Sequence, residues 1–279
     1  MSEHFEWTRV MHELKRRNLR VLRSEQIAPR MQRITVVGED LEGFVALAPG
    51  DHVKVFFPDP AGDGTIFTPA RDKEAPAPAG EVIARDYTPF AFCAEGEQGP
   101  ELDLDFVLHA NDSHSGPAAA WAAKAAPGDP LVVAGPRGSL VPPSNIEEAI
   151  LLADESALPA VTRWLDLLGD TPVVGLFTVD NPETASYLAS YEGPSRNFHW
   201  VSGEDRADRI KTALEGLNIG ERTMVFLAGE ASSLIPLRRY LRRELGLPKQ
   251  QVDAHGYWKK GEANLDHHAP LDPSDPDED

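Results

Sequence analysis

The hydrophobic pattern of the chain changes near residue 143, and this change constrains the fold more than any other feature. Before it, short runs such as residues 31–37 and 102–108 are β-branched or alternating, and Gly, Pro and Asp turns separate them. After it, segments without polar alternation, such as residues 149–153, alternate with helical segments. Strands buried on both faces and separated by helices are typical of a parallel sheet. The sequence therefore predicts an N-terminal antiparallel β-barrel followed by a doubly wound parallel-sheet α/β domain.

Individual elements follow from the same patterns. In the first half we predict strands at residues 19–22, 31–37, 52–57, 82–83, 102–108 and 131–134, and an alanine-rich helix at residues 116–126. In the second half we predict strands at residues 149–153, 173–179, 198–201 and 223–228, and helices at residues 157–168, 182–191, 207–217 and 234–245. The expected domains are residues 1–143, residues 144–264 and a disordered acidic tail at residues 265–279.

Charge and cysteine content exclude several kinds of partner. The net charge of −18 would repel phosphate backbones and anionic lipid surfaces, so we expect neither a nucleic acid nor a membrane as partner. The single cysteine, Cys93, cannot build a disulfide framework, a thiolate zinc site or an iron–sulfur cluster. No apolar stretch approaches the roughly 18 residues that a membrane helix needs, and the first residues lack a signal-peptide pattern. We therefore expect a cytoplasmic protein without a metal site.

The segment Arg85-Asp86-Tyr87-Thr88 carries polar groups that suit a flavin nucleotide. Alternation along a strand puts Arg85 and Tyr87 on one face and Thr88 on the other. An arginine can form paired hydrogen bonds with a phosphate, a tyrosine can cover a ring, and a threonine can hydrogen-bond a ring nitrogen. Taken alone, the segment fits an ordinary strand end with a surface arginine and a packed tyrosine better.

A second candidate site precedes the alanine-rich helix. Gly116, Pro117, Ala118 and Ala119 would form its first turn, and such small residues let a pyrophosphate approach the free N–H groups and the favourable end of the helix dipole. His109 follows the preceding strand and could stack on a flavin or hydrogen-bond it. The alternative for His109 is a solvated loop histidine.

A series of short motifs runs in order along nearly the whole chain. It comprises R-x-Y-T-P at residues 85–89, the strand at 105–109, G-P-A-A-x-W-A at 116–122, P-G-D-x-L at 127–131, G-P-R-G-S at 135–139, A-D-E-S-A-L-P-A at 153–160, A-G-E at 228–230 and G-Y-W-K-K-G at 256–261. The series resembles the siderophore-interacting protein family. Its members are FAD-dependent ferric-siderophore reductases, related in fold to the ferredoxin–NADP reductases.

The resemblance implies a role for several residues. It implies that Arg85, Tyr87, Thr88 and His109 bind FAD together with the helix start at residues 116–119. It places Asp154, Glu155, Gly229 and Glu230 at the nicotinamide site, where we also assign Trp258, and it puts Lys54 and Arg137 near the outer edge of the flavin, where they would hold the acceptor. Phe90 departs from the pattern, because the family often carries a second arginine there.

Without the resemblance, the sequence supports a nicotinamide site less well than it supports an FAD site. No G-x-G-x-x-G and no phosphate-binding loop follows a predicted strand. Asp154 and Glu155 would repel a pyrophosphate at the start of the next helix, where Ser156 is a candidate N-cap. The alternative for these acids is stabilisation of the helix dipole. Loose dinucleotide binding, or an external donor such as a ferredoxin, therefore stays open beside NADPH and NADH.

The expected function is electron transfer from NADPH or NADH, through FAD, to Fe(III) in a ferric siderophore, which releases Fe(II). No side chain needs to act as an acid or a base, so we expect no catalytic residue. Two alternatives keep the same fold. One is a flavin reductase or electron-transfer protein with another acceptor, and the other is a non-catalytic siderophore-binding carrier.

Overall fold

The computed structural model describes residues 5–60, 62–70, 77–108, 116–266 and 269–275. Its contacts divide the chain into two compact units. Arg9–Leu140 form one, the antiparallel unit, and the residues before and after them form the other, the parallel unit. The chain therefore returns to the unit in which it begins. This differs from the expected division, which assigned the first residues to the N-terminal domain.

The antiparallel unit is built on a seven-stranded sheet with a two-stranded sheet beside it. Its elements, some of which end just outside it, are β1 (Thr8–Met11), β2 (Arg16–Ala28), β3 (Met31–Val37), β4 (Val53–Phe57), β5 (Ile83–Tyr87), β6 (Pro89–Gly96), β7 (Gly99–Val107), α1 (Pro117–Ala122), β8 (Pro130–Ala134) and β9 (Gly138–Val141). The large sheet has the order β5-β4-β8-β2-β3-β7-β6, and β1 pairs with β9. Neighbouring strands of the large sheet run antiparallel, as the sequence predicted.

One aromatic cluster shows how this sheet curls around its core. The ring centroid of Phe106, from β7, lies 4.3 Å from that of Tyr87 in β5 and 6.2 Å from that of Phe57 in β4. Trp121, from α1, lies 5.5 Å from Phe57 and 5.8 Å from Phe106. Strands near opposite ends of the pairing order thus share one core. The antiparallel sheet that the sequence predicts as a barrel therefore curls around one core, and the described strands show no pairing between β5 and β6.

Helix α1 is shorter than predicted, and the sequence shows why. It ends at Ala122, whereas the alanine-rich run continues to Ala126. Lys124 already forms a tighter turn, because its N–H donates to the carbonyl of Trp121 at 3.0 Å. Pro127 disfavours helical geometry at the residue before it.

The parallel unit contains a five-stranded parallel sheet, which confirms the predicted doubly wound fold. Its elements are β10 (Glu148–Asp154), α2 (Leu158–Leu168), β11 (Val173–Thr178), β12 (Arg196–Val201), α3 (Arg206–Glu215), β13 (Thr223–Glu230), α4 (Ala231–Arg239) and β14 (Val252–Trp258). A 3₁₀ helix covers Pro182–Tyr191, and a π-helical turn at Tyr240–Glu244 extends α4. The strand order is β12-β11-β10-β13-β14.

Two apolar layers cover this sheet. The layer on one face is centred on the fully buried Trp164 of α2 and includes Phe5 and Trp7 from the start of the chain. The Trp7 indole N–H also donates to the carbonyl of Gln250 at 2.8 Å. The layer on the other face contains Ile210 of α3 and Leu237 of α4.

Part of the acidic tail that the sequence predicts to be disordered, residues 269–275, makes contacts with the rest of the parallel unit. Asp272 is 3% exposed and lies 2.6 Å from the Arg239 guanidinium. Asp275 pairs with Arg238, at 3.2 Å, and with Arg243. Within residues 269–275, the tail carboxylates thus meet a group of arginines at the end of α4.

Candidate functional site

The carboxyl ends of β10 and β13 form the first part of the candidate site. The strand order reverses between them, since β11 and β12 extend the sheet on one side and β14 on the other. In open α/β sheets, ligands bind beyond the carboxyl ends of the strands at this switch point. β10 ends at Asp154 and β13 ends at Gly229-Glu230. The structure thus brings together three of the residues that the sequence assigned to the nicotinamide.

Asp154 connects three strands at this edge. Its Oδ2 accepts hydrogen bonds from the Glu230 backbone N–H and the Trp258 indole N–H, both at 2.8 Å. Its Oδ1 accepts from Ser156, at 2.8 Å from the N–H and 2.5 Å from the hydroxyl. Burial raises the pKa of Asp154, and these donors offset part of that rise. Asp154, and not Ser156 as predicted, caps the start of the helical segment.

The backbone of Gly229 passes close to this carboxylate. Its φ is +143°, and a Cβ there would lie 2.5 Å from Oδ2 of Asp154. A side chain would therefore both strain the backbone and displace the carboxylate. Glycine is required at the switch point because β13 approaches β10 so closely.

Glu230 and Trp258 are fixed by the same network. The Glu230 carboxylate accepts from Ser233 N–H at 2.7 Å and from Lys260 N–H at 3.2 Å, and so caps α4. Burial opposes a fall in the pKa of Glu230, but the hydrogen bonds outweigh it and lower that pKa. Trp258 is 41% exposed although its indole N–H is bound to Asp154. An anchored aromatic ring is therefore accessible at the end of β14.

Glu155 turns to the opposite side of the sheet edge. It is 8% exposed, and its Oε1 accepts from the Asp180 N–H at 3.2 Å and the Thr184 hydroxyl at 3.1 Å. Asp154 thus organises the loops after β13 and β14, while Glu155 organises the loop after β11. Both carboxylates accept hydrogen bonds from within the parallel unit, and neither interpretation of the sequence anticipated their links to β13, β14 and the loop after β11.

The end of β5 forms the second part of the candidate site. The Arg85 guanidinium donates to the Ala84 carbonyl at 2.6 Å and makes no ion pair within the described residues. Burial raises the pKa of Tyr87, and Arg85 opposes this rise. Thr88 is 7% exposed. In the described part of the chain, neither the Tyr87 nor the Thr88 hydroxyl has a hydrogen-bond partner.

These groups fit the donor set that FAD requires. Within four residues the chain offers a guanidinium, a phenol and a buried hydroxyl, as a phosphate and a polar ring system would need, and the two hydroxyls have no hydrogen-bond partner among the described residues. At the start of α1, an added side chain on Gly116 would meet nothing within 4 Å, whereas Ala118 and Ala119 are buried. His109 lies outside the described residues.

Lys54, which the resemblance assigns to the acceptor, forms an ion pair with an acid on the neighbouring strand. Its Nζ lies 2.8 Å from Oδ1 and 3.0 Å from Oδ2 of Asp86, the residue opposite it on β5. Alternation puts this pair on the face opposite to Arg85 and Tyr87. Arg137 is exposed, and within the described residues its side chain has no ion pair. Lys54 lies opposite Ala134, close to the turn that carries Arg137.

Phe90 also has a charged neighbour. The Arg33 guanidinium lies 3.5 Å from the centre of its ring and makes paired 2.7 Å hydrogen bonds with the Asp105 carboxylate. The position at which the family often carries an arginine thus receives one from β3 instead, with its charge opposed by Asp105.

Sequence reasoning missed two acidic residues of these sites. Asp86 was not recognised as the partner of Lys54, because the pairing depends on strand register. Asp180 was overlooked although it follows the predicted strand at residues 173–179, and the end of that strand was the signal that could have identified it. Arg206, which the sequence alone could not place, forms an ion pair of 2.6 Å with Asp180.

Comparison with known proteins finds two matching family models. A model of the siderophore-interacting FAD-binding domain matches residues 20–140, and one of the siderophore-interacting protein matches residues 146–261. The NADPH-dependent ferric-chelate reductase of Escherichia coli is 35% identical over 90% of this chain and 95% of its own. The ferric vibriobactin reductase ViuB of Vibrio cholerae is 31% identical over 90% of this chain and 92% of its own.

Solved structures give the same result. A siderophore utilization protein from T. fusca superposes with a TM-score of 0.81 at 36% identity, covering 95% of this chain and all of that one. A ferredoxin–NADP⁺ reductase from Plasmodium falciparum has a TM-score of 0.61 at 13% identity, over 90% of this chain and 100% of its own, and so shares the fold alone. None of the helices among the described residues combines the length and apolar character needed to cross a bilayer. The chain belongs to the siderophore-interacting protein family, with an FAD-binding antiparallel domain followed by a parallel α/β domain.

Proposed function

We propose that this protein is an FAD-dependent reductase that carries electrons from NADPH or NADH to Fe(III) in a ferric siderophore. One observation supports this most directly. Arg85, Tyr87 and Thr88 lack hydrogen-bond or ion-pair partners other than the Ala84 carbonyl in the described chain, and they lie in the segment that matches an FAD-binding domain. Relatives with more than 30% identity along most of their length are named as ferric reductases.

Bound FAD supplies the exchange between a two-electron hydride donor and a one-electron ferric acceptor. One NADPH reduces two ferric complexes and leaves NADP⁺ and a proton. Hard oxygen ligands bind Fe(II) less tightly than Fe(III), so reduction releases the iron. The protein therefore has to bind, orient and shield, and no acid or base is required of it.

In the antiparallel unit, Arg85 would hold a phosphate of FAD, since no carboxylate among the described residues pairs with its guanidinium. Tyr87 would lie against the flavin ring, and Thr88 would hydrogen-bond it. The small residues 116–119 would allow the pyrophosphate close to the backbone. His109 has its role by resemblance alone.

In the parallel unit, the dinucleotide would lie at the switch point between β10 and β13. Gly229 allows it a close approach to the backbone, and Trp258 offers a fixed aromatic ring. Asp154, Glu155 and Glu230 act mainly by holding the surrounding loops, because their carboxylates accept hydrogen bonds from backbone N–H groups there.

Arg137 would contact the acceptor. An anionic siderophore approaching a chain of net charge −18 needs a local cation, and Arg137 is exposed without an ion pair within the described residues. Lys54 would make a weaker contribution because Asp86 opposes its charge. We place the protein in the cytoplasm, where an exposed free thiol such as Cys93 stays reduced.

The test is anaerobic reduction of the bound flavin by NADPH and by NADH, followed by a ferric siderophore and a chelator that traps Fe(II). We expect bleaching of the flavin absorbance by the dinucleotide and its return with Fe(II) release. A reduced flavin that the siderophore fails to reoxidise would contradict the proposed acceptor. Free flavin and a ferredoxin serve as alternative acceptor and donor, and a colourless protein that binds siderophore would indicate a carrier.

A further inference from the structure

A carboxylate and a guanidinium meet beyond the end of β11, and the proposed function gives neither of them a role. β11 is the second strand of the parallel unit and lies beside β10. In dinucleotide-binding sheets of this kind, an acid beyond the first βα turn accepts the ribose 2′-hydroxyl of NAD, and an arginine accommodates the 2′-phosphate of NADP. Asp180 follows β11 by two residues, and Arg206 is the first residue of α3.

A buried carboxylate fixes the backbone of Asp180. Its N–H donates to the buried carboxylate of Glu155 at 3.2 Å. The same carboxylate accepts from Thr184, which has no exposed surface. Asn181 caps the following 3₁₀ helix through the N–H of Glu183 at 2.9 Å. The Asp180 side chain therefore projects from a fixed support, although it is itself 47% exposed.

Arg206 reaches this carboxylate from the first position of α3. Its Nη1 lies 2.6 Å from Oδ1 of Asp180, and its side chain is 42% exposed. Ion pairs with this exposure are weak, so a competing anion can replace one partner with little loss. The cation is thus held ready beside the acid, at the end of the strand where an adenosine ribose would lie.

We infer that Asp180 and Arg206 recognise the 2′-substituent of the adenosine ribose and together allow both NADH and NADPH to bind. This rests on the proposed use of a nicotinamide dinucleotide. With NADH, Asp180 accepts a hydrogen bond from the 2′-hydroxyl and keeps its pair with Arg206. With NADPH, Arg206 leaves Asp180 for the 2′-phosphate, while the charge of Asp180 disfavours that phosphate.

The experiment compares Asp180→Asn and Arg206→Ala with the unchanged holoprotein. A matched control comes from Lys211 and Glu215, an exposed pair of 3.6 Å on the same helix, through Lys211→Ala and Glu215→Gln. Calorimetry measures the binding of adenosine 2′-monophosphate and adenosine 5′-monophosphate. Ferricyanide reduction then gives kcat/KM for NADPH and NADH without a siderophore.

We expect Asp180→Asn to raise the NADPH/NADH ratio of kcat/KM about tenfold, the effect of one unit charge near a phosphate at a protein surface. Arg206→Ala should weaken the binding of adenosine 2′-monophosphate and lower the NADPH/NADH ratio of kcat/KM. The control variants should change neither quantity. The inference is overturned if both variants keep the ratio and fragment affinities of the unchanged protein, or if neither fragment binds. Failure of siderophore reduction alone would contradict the proposed acceptor and leave this result intact.

Discussion

The indole N–H of Trp258 donates a 2.8 Å hydrogen bond to Oδ2 of Asp154, which ties the end of the edge strand β14 to the end of the central strand β10. The same oxygen receives the N–H of Glu230 from β13. One carboxylate therefore sets the relative position of three strand ends at the proposed dinucleotide site.

Asp154→Asn should loosen this edge. In asparagine an NH₂ group replaces one of the two carboxylate oxygens. In either orientation of the amide, this NH₂ group meets two hydrogen-bond donors that it cannot accept from, those of Ser156 or those of Glu230 and Trp258. Loss of hydrogen bonds to a charged acceptor should lower the free energy of unfolding by about 2 kcal/mol. Urea unfolding measures this loss, and the KM for NADPH reports the local change. Asp166→Asn, which removes an exposed carboxylate bound to Tyr191, is the control. Equal effects of the two variants would contradict the role of Asp154.

Gly229→Ala should disturb the same place from the backbone. The residue combines a φ of +143° with a Cβ position 2.5 Å from Asp154. We expect a loss of about 1–3 kcal/mol in unfolding free energy, the range for a residue held in such a conformation. Gly193→Ala is the control, because a Cβ there meets nothing within 4 Å. Unchanged stability and dinucleotide affinity in Gly229→Ala would show that the close approach is not required.

Arg85→Ala should weaken FAD binding. A charge-assisted hydrogen bond contributes about 1.5–3 kcal/mol, so the Kd for FAD should rise roughly ten- to a hundredfold. Titration of the FAD-free protein with FAD, followed by flavin fluorescence, gives the Kd. Arg20→Ala removes an exposed arginine from β2 and should leave the Kd unchanged. If Arg85→Ala retains FAD as tightly as that control, the phosphate lies elsewhere.

Arg137 and Lys54 should differ in their effect on the acceptor. Arg137→Ala should raise the KM for an anionic ferric siderophore about threefold, as for an exposed ionic contact. Lys54→Ala should have less effect because Asp86 opposes that charge. Asp86→Asn should lower the KM, since it releases Lys54 from its partner. The opposite order of effects would mean that Lys54 contacts the siderophore despite Asp86.

The carboxylate of Asp272 should make stability depend on pH in the acid range. The hydrogen bond from Arg239 is the main cause that lowers its pKa to about 2, below the value of about 3.9 for an unfolded chain. Its contribution is therefore complete above the unfolded value and lost as pH falls through about 2. Asp272→Asn should unfold at lower urea than the unchanged protein at pH 7, and the difference should narrow below pH 4. A difference that stays constant between pH 7 and pH 3 would contradict the pairing. Glu215→Gln serves as the control.

The fold was predictable where its signals are local. β10 and β13 are apolar without alternation, and such runs identify central parallel strands in a single chain. β14 was missed because its polar and apolar residues mix on an edge strand. The contact of Asp272 was not predicted because its partner is an arginine 33 residues earlier, and composition contains no information about such a partner.

The candidate site divides in the same way. The sequence groups Arg85, Tyr87 and Thr88 because they lie within four consecutive residues, but their assignment to FAD rests on the resemblance and stays a prediction. The contacts of Asp154 and Glu155 could not be predicted, since adjacent acids can turn either way and only the neighbouring loops decide. Lys54 shows the same limit, because its partner depends on the register between β4 and β5.

Phe5 and Trp7 have a consequence for synthesis on the ribosome. They pack in the parallel unit, whose strands leave the ribosome only after the whole antiparallel unit. The antiparallel unit can therefore fold while translation continues. The two N-terminal aromatic residues, in contrast, stay without their native partners until β10 to β13 have emerged. During that interval they form an exposed apolar segment that a chaperone can recognise.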